Sequence, residues 1–300
     1  MTIGRTEAQH EQAKDLHRLA PAEILARLLA GQQAAAAAVA QALPALAIAA
    51  EAVAAAFDAG RRVGYAGAGS SGLMALADAM EIAATFGIPA ARTPVMFAGG
   101  VATLLDHSGA DEDATDAAAA DFHRAALGEG DVVIAVAASG TTPYTVAIAE
   151  AARAAGATVV GIANVAGSRL LALADVAVLL DTGPELVAGS TRLGAATAQK
   201  IALNLISTLA GLRLGHVHDG YMVNVVAANA KLRDRAARIV AAIAATGEAT
   251  ARAALEATGG SVKPAVLIAA GAADRAAADR LLAASDGHVG PALESLRAGR

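Results

Sequence analysis

Short apolar runs alternate with helical segments along the middle of this 300-residue chain, and no other feature of the sequence limits the fold as strongly. The run at 131–136 (DVVIAV) is continuously apolar after its first residue, as in a strand that is buried on both faces of a parallel sheet. Further strands are predicted at 63–66, 92–96, 158–164 and 176–180, with helices at 73–86, 101–107, 116–126, 145–155 and 195–214. This order predicts an α/β fold over residues 45–225, with a doubly wound, flavodoxin-like parallel sheet.

Helical segments flank the predicted sheet domain on both sides. Residues 1–44 form an N-terminal helical segment that starts near Pro21, and Ala-rich helices are predicted over about 32–43 and 44–59. Residues 226–300 contain five short helical segments separated by Gly, without a strand pattern. They are predicted to form a small, UBA-like helical region.

Composition excludes several classes of protein. The net charge is −5 without a basic stripe, which argues against nucleic acid as a partner, and the absence of Cys excludes disulfides and thiolate metal sites.

Hydrophobic residues make up 56% of the chain, but Ala supplies much of this share. The stretch 34–56 contains Gln41, Pro44 and Glu51, so it is expected to be a helical hairpin rather than a membrane span. The polar N-terminus lacks a signal-peptide pattern, so the cytoplasm is the expected location.

Two glycine- and hydroxyl-rich loops, 67–72 and 138–142, each follow a predicted strand and precede a helix. Small residues let a ligand approach the backbone, and the free N–H groups at a helix start suit a phosphate. Two such loops at the carboxyl ends of strands in one sheet predict a shared phosphate site. The alternative, equally open from the pattern, is a pair of tight turns capped by Ser and Thr.

A carboxylate, Glu81, lies on the helix that follows the first loop, beside Met80 and Ile82. An apolar setting near a phosphate cradle makes this side chain a candidate reactive group.

Motifs spaced along almost the whole chain match one family. They are Thr6-Glu7, AEIL (22–25), GAGSSG (67–72), DAME (78–81), TFG (85–87), AGG (98–100), AASG (137–140), TPY (142–144), GPE (183–185), GSTRL (189–193), TAQK (197–200), Asn224, Asn229 and KL (231–232). Together they resemble the N-acetylmuramic acid 6-phosphate etherases of the sugar isomerase (SIS) superfamily. The segment that runs from GPE through GSTRL to TAQK is far more specific than either glycine loop.

The resemblance implies a SIS-type sheet domain, a homodimer, and a reaction that needs neither a metal nor a cofactor. That reaction removes D-lactate from the 3-position of a 6-phosphorylated amino sugar and yields GlcNAc 6-phosphate. Two carboxylates in different protonation states suit such an elimination.

The resemblance also implies which residues act. It makes Glu81 the acid that assists lactate departure, against the alternative of a solvated Glu on a helix face. Spacing from Gly99-Gly100 makes Glu112, in the acidic turn 108–113, the second carboxylate, although a motif-first comparison selects Asp111. The phosphate ligands would be Gly69, Ser70, Ser71, Ser139, Gly140, Thr141 and Thr142. Ser190, Glu185, Lys200 and Arg192 are further substrate-binding candidates, and structural roles for the last three are equally open.

The chain departs from the family where cations are expected. Leu73, Thr141 and Gly194 stand at positions that are basic in the family, Ile82-Ala83-Ala84 replaces Cys-Pro-Pro, and Gln9-His10-Glu11 replaces Arg-Asn-Pro. Each lost cation could remove a charge-assisted hydrogen bond worth about 1.5–3 kcal/mol. His10, His17 and His107 could compensate in part, although a structural or exposed role is more usual for a single His. These losses leave open a SIS isomerase for another sugar phosphate, or a non-catalytic sugar-phosphate sensor.

Overall fold

Five parallel strands form one sheet in the computed structural model, which describes residues 5–103, 109–225 and 230–299. The strands are β1 (Val63–Gly67), β2 (Val95–Phe97), β3 (Val132–Val136), β4 (Thr158–Ala163) and β5 (Val176–Leu179). Their order is β2-β1-β3-β4-β5, and every neighbouring pair is parallel. This order confirms the predicted doubly wound α/β fold.

Helices cover both faces of the sheet. The helices of the first 213 residues are α1 (Pro21–Ala38), α2 (Leu43–Asp58), α3 (Gly69–Phe86), α4 (Gly100–Thr103), α5 (Thr115–Ala125), α6 (Pro143–Ala154), α7 (Arg169–Leu173) and α8 (Gly194–Arg213). Ala66 and Ala135, which are paired in register, lie in one buried cluster with side chains of α5, α6 and α7. The alternate residues, Tyr65 and Ile134, project to the other face, where the Tyr65 hydroxyl donates to Asp78 of α3 and Asn204 of α8 donates to the same carboxylate.

The chain divides into two compact units, and each is described by itself. One comprises Met1–Met80 and Ala90–Ser207, and the other comprises Glu81–Pro89 and Thr208–Arg300. The sequence-based division into 1–44, 45–225 and 226–300 stays a prediction.

The second unit is built from helices α9 (Ala230–Ile243), α10 (Glu248–Ala257), α11 (Val262–Ala269), α12 (Arg275–Ala283) and α13 (Val289–Ala298). Their inward faces form a separate apolar core that includes Val240, Val266 and Leu293. The five helical segments expected in this part of the chain are therefore present among the described residues. A short antiparallel ribbon of β6 (Val217–His218) and β7 (Tyr221–Met222) was not expected.

The N-terminal helices differ from the prediction. A single helix, α1, spans the expected break near residue 32, and the 3-10 turn Val39–Ala42 joins it to α2. The expected hairpin is thus a continuous helical run, Pro21–Asp58, which by length and composition could cross a membrane. Core helices of water-soluble proteins meet the same criterion, and Val53 and Phe57 of α2 are buried against the protein.

A buried carboxylate joins three elements of the first unit. Asp78 of α3 is only 5% exposed and accepts hydrogen bonds from the Tyr65 hydroxyl (3.0 Å), Asn204 Nδ2 (2.7 Å) and Ser207 Oγ (2.9 Å). Burial, and then the charge of Asp78, raise the pKa of Tyr65 well above its ordinary value, so its hydroxyl remains a donor. The sequence motif that contains Asp78 therefore has a structural member as well as the candidate acid Glu81.

Replacing Asp78 with Ala should lower the free energy of unfolding by about 2–4 kcal/mol, because three donors lose their acceptor in the protein interior. Urea unfolding followed by circular dichroism measures this loss. The control is Asp58→Ala at the exposed end of α2, which should change stability by less than about 0.5 kcal/mol. Equal losses in the two variants would contradict the assigned role of the network.

Candidate active site

The two glycine-rich loops meet at the point where the strand order reverses. β1 and β3 are neighbours, and Gly67, the last residue of β1, is paired with Val136, the last residue of β3. In doubly wound sheets, ligands bind outside the carboxyl ends of the strands at this switch point. The fold therefore brings the two predicted phosphate loops to the edge where a shared ligand would lie.

The first loop is much shorter than the sequence suggested. Only Ala68 separates β1 from α3, because the helix starts at Gly69 rather than near residue 73. A Cβ atom on Gly67 would lie 2.8 Å from the Cα atom of Gly72, so neither position has room for a side chain. Ser70 and Ser71 consequently lie in the first helical turn, where Ser71 is buried and Ser70 is half-buried.

The second loop is held by its own hydroxyl groups. Ser139 Oγ accepts hydrogen bonds from the N–H (3.2 Å) and the hydroxyl (3.1 Å) of Thr141. Gly140 has a φ of +67°, and a Cβ atom at this position would collide with Ser168 Oγ, so only Gly fits here. Thr142 is the N-cap of α6, and its side chain makes no capping hydrogen bond.

Two buried hydroxyl groups at this loop were missed by the sequence interpretation. Thr145 Oγ1, in the first turn of α6, and Ser168 Oγ, which packs behind Gly140, have no hydrogen-bond partner among the described residues. The only sequence signal for Thr145 was its position three residues after the loop. Ser168 is distant in sequence, and only the crossover from β4 brings it to the loop.

The two candidate carboxylates of the acidic turn, Asp111 and Glu112, have different surroundings. Asp111 Oδ2 accepts a hydrogen bond from Thr103 Oγ1 (2.7 Å), and both oxygens would collide with a Cβ atom on Gly99. The side chain of Glu112, a half-exposed residue, makes no hydrogen bond or ion pair with another described residue. This difference supports Glu112, rather than Asp111, as the available carboxylate. Ser108 and His107 lie outside the described residues, as does Asn229.

Glu81 is exposed, contrary to the apolar setting that the sequence predicted. It lies about three turns into α3 and shares a helix face with Leu73, Ala77, Met80 and Ala84. The apolar residues on this face are exposed too, with 69% of Met80 and 43% of Leu73 accessible to solvent, whereas Ile82 is buried. Among the described residues of the single chain, the side chain of Glu81 is thus left open to solvent.

Glu185 of the GPE motif caps helix α8. The side chain is 5% exposed, and its two oxygens accept hydrogen bonds from the N–H groups of Gly194 and Ala195, each at 2.9 Å. A carboxylate at a helix N-terminus satisfies free donors and interacts favourably with the helix dipole. The described contacts of Glu185 are therefore structural.

A cavity of about 280 Å³ lies beside this cap and is lined in part by His10, Arg27, Glu185 and Gly194. Two of the positions that depart from the expected family pattern, 10 and 194, thus face the same space. Arg27 is already engaged, since it pairs with Glu23 at 2.8 Å. His10 Nδ1 accepts a hydrogen bond from the Gln12 N–H at 3.0 Å.

The other candidates from the specific motifs are not brought into this cavity. Arg192 and Lys200 are exposed, and Ser190 is half-buried in the turn before α8. The turn is held by the N-terminal segment, because the Gly189 N–H donates to the Thr6 carbonyl at 3.0 Å. His17, which was considered as a compensating cation, is exposed.

Comparisons with known proteins agree with these motifs. A family model described as the SIS domain matches residues 30–164. N-acetylmuramic acid 6-phosphate etherase of Deinococcus radiodurans is 45% identical over 286 residues, which cover 95% of this chain and 93% of the relative. The protein of the same name from Streptomyces avermitilis is 42% identical over 96% of this chain and 93% of its own length. The chain belongs to the N-acetylmuramic acid 6-phosphate etherase family.

Among solved structures, a phosphoheptose isomerase from Francisella tularensis aligns with this etherase-family chain at a TM-score of 0.47 and 18% identity. The alignment covers 65% of this chain and 98% of the isomerase.

Within the etherase family, the role of Glu185 can be tested directly. The Glu185→Gln variant should lower the free energy of unfolding by about 1–2 kcal/mol, because a neutral amide replaces a charged acceptor of two helix N–H groups. Thermal and urea unfolding measure the loss, and Glu129→Gln, at an exposed loop position, is the control. Unchanged stability together with a raised KM would instead indicate a substrate-binding role.

Proposed function

We propose that this chain cleaves the D-lactyl ether of N-acetylmuramic acid 6-phosphate, or of a close analogue, in amino-sugar catabolism. The products are D-lactate and GlcNAc 6-phosphate. The observation that carries the proposal is the 45% identity, over 95% of the chain, to a relative that bears the etherase name. The two loops at the switch point, and the retention of Glu81 and Glu112, support it.

The proposed reaction is an elimination followed by hydration. In the open-chain sugar, the aldehyde makes the C2 proton acidic, and Glu112 takes this proton. The electron pair of the C2–H bond forms the C2=C3 double bond while the bond from C3 to the lactyl oxygen breaks. Glu81 donates a proton to the departing oxygen.

The second half of the proposed reaction restores both carboxyl groups. Water adds its hydroxyl to C3 and returns a proton to Glu81, while Glu112 delivers its proton to C2. Only water is consumed, so the cycle requires no redox partner. The two groups must start in opposite protonation states, which different surroundings can impose on two similar carboxyls.

The proposed phosphate site uses the two helix starts at the switch point. The N-terminal N–H groups of α3 and α6 and the positive ends of their dipoles favour an anion. Ser70, Ser139 and Thr142 would add hydroxyl donors, and Gly69, Ser71, Gly140 and Thr141 would contribute chiefly through the backbone. This arrangement can hold a dianion without the cations that the family carries at positions 73 and 141.

The remaining motif residues have narrower proposed roles. Arg192 could bind the lactyl carboxylate through its guanidinium fork, and Ser190 and Lys200 belong to the same motifs. The 194 position cannot supply the family's cation, since Gly194 has no side chain and its N–H is bonded to Glu185. We place the reaction in the cytoplasm because a phosphorylated sugar does not cross membranes unaided.

An assay with N-acetylmuramic acid 6-phosphate in D₂O would test the function and separate the two roles. The wild type should release D-lactate and incorporate deuterium at C2. Replacing Glu112 with Gln should lower both rates by about 10²–10⁴-fold, as expected when a general base is lost. The Glu81→Gln variant should lose lactate release to a similar extent but retain C2 exchange in the unreacted substrate.

Glu129→Gln, at an exposed loop position, is the matched control and should retain wild-type rates. Wild-type protein that neither exchanges the C2 proton nor releases lactate would exclude the etherase function and leave an isomerase or a sensor. Wild-type activity in Glu81→Gln would exclude the acid assignment alone.

We propose further that two copies of the chain form a homodimer through the exposed apolar face of α3. Leu73, Ala77, Met80 and Ala84 form a stripe on this helix, and contiguous exposed apolar surfaces are typical of protein interfaces. Glu81 lies on the same face. A partner covering this stripe would supply the apolar surroundings that Glu81 lacks in the single chain.

Sedimentation velocity tests the homodimer. The wild type should sediment as a dimer, and Met80→Asp should shift it toward a monomer, because a buried unpaired charge is costly at an interface. Ala120→Asp, on the exposed side of α5, is the control and should leave the dimer unchanged. A monomeric wild type, or a dimer that is insensitive to Met80→Asp, would contradict the proposed interface.

A further inference from the structure

A large cavity within the second unit is not used by the proposed function. Its volume is about 1040 Å³, at the upper end of the range of small-molecule sites, and its walls come from α9 to α12 together with Gly87 and Asn224. Apolar side chains such as Leu255, Val262 and Leu282 form part of the lining. The space can accommodate a metabolite rather than a single ion.

Positive charge predominates on the lining of this cavity. Four cationic side chains, Arg233, Arg252, Lys263 and Arg275, face two acidic ones, Glu256 and Asp279. Two of the cations are paired, because Arg252 contacts Glu248 and Asp234, and Arg275 contacts Asp279. Arg233 and Lys263 make no ion pair with a described residue. Glu256 makes none either, so the lining holds two cations and one carboxylate without ion-pair partners among the described residues.

Lys263 is held in a position where solvent reaches it poorly. Its Nζ donates to the Gly287 carbonyl at 2.9 Å, and burial lowers its pKa to about 8, so the side chain is still largely protonated at pH 7. The nearby His216 adds no charge, because burial, and then Lys263 and His288, lower its pKa to about 4. An anion in the cavity would compensate the charge of Lys263.

The free backbone donors beside Lys263 are those of the first residues of α11, Val262 and Lys263, because the N–H groups of Gly259, Gly260 and Ser261 already donate to the carbonyls of Glu256, Leu255 and Thr258. Gly259 and Gly260 form a turn before α11, and a Cβ atom on either would meet nothing within 4 Å, so the turn borders open space. The N-cap Ser261 makes no side-chain capping hydrogen bond. Arg275 Nη1 donates to the Thr258 carbonyl at 2.7 Å, which places its guanidinium beside the same turn.

We propose that this cavity binds a small phosphorylated ligand, with its phosphate at the 259–263 turn. Lys263 and Arg275 would contact the phosphate, Arg233 would balance its second charge, and the apolar wall would hold the organic part. A phosphate monoester carries a charge of about −1.5 to −2 at pH 7, so it can interact at the same time with Arg233 and Lys263, the two lining cations without ion-pair partners among the described residues. The site is additional to the switch-point loops, because all of its lining residues belong to the second unit.

Isothermal titration of the full chain with inorganic phosphate, at constant ionic strength, tests the site. All variants in this titration also carry Ser139→Ala, which weakens phosphate binding at the switch-point loops; this is the background protein. In this background, Arg233→Met and Lys263→Met should each weaken phosphate binding by about tenfold, as expected for loss of a charge-assisted contact. Arg238→Met, an exposed change on the same helix as Arg233, is the matched control and should have no effect.

Phosphate binding that is insensitive to both substitutions would overturn the proposal, as would an absence of binding in the Ser139→Ala background. Circular dichroism establishes that each variant is folded. If Lys263→Met fails to fold, phosphate binding by the Arg233 variants still tests the proposal, because Arg233 is exposed. The charge reversal Arg233→Glu should weaken phosphate binding further than Arg233→Met.

Discussion

The close approach of Gly67 and Gly72 is the constraint on which the switch-point site depends. With no side chain on either residue, the first turn of α3 can pack directly against the end of β1. This packing leaves room for only one residue between strand and helix and directs the helix N-terminus to the sheet edge. A Cβ atom at either position would move the helix start, and with it the donors of the first turn, away from the second loop.

The acidic side chains of the family motifs fall into two groups by what surrounds them. Asp78, Asp111 and Glu185 accept hydrogen bonds from neighbouring donors and hold elements together. Glu81 and Glu112 are exposed or half-exposed in the single chain. A carboxylate whose oxygens already accept hydrogen bonds from the protein is less available to contact a substrate. The carboxyls that remain for chemistry are therefore those that hold no structural contact.

The sheet was predictable because a parallel strand that is buried on both faces appears in the sequence as a continuous apolar run. Every residue of the run at 132–136 is apolar and buried, and the Gly, Ser and Thr residues that follow indicate where the strand ends. The start of α3 was misplaced for a related reason: Gly69, Ser70, Ser71 and Gly72 favour loops locally, and tertiary packing overrides that preference. The ribbon at 217–222 was missed because two-residue strands show no alternation.

The sequence motifs predicted which residues belong to the site, but they did not predict the contacts between those residues. The sequence identified the residues at the switch point, but it could not show that Ser168 packs behind Gly140, since strand order alone brings them together. Spacing favoured Glu112 over Asp111, but the sequence could not show the physical difference between them, which is the hydrogen bond that Asp111 accepts from Thr103. Long-range contacts of this kind have no local signal.

The bond from Gly194 to Glu185 links two positions that differ in how far they follow the family pattern. GPE matches the pattern that the sequence resemblance implies, whereas Gly194 stands where that pattern implies a Lys, and a Cβ atom there would lie 3.2 Å from Glu185 Oε2. A side chain restored at 194 would start against the carboxylate that caps α8. The effect of a substitution at either position therefore depends on the residue at the other, and the stability changes of the two substitutions should not be additive.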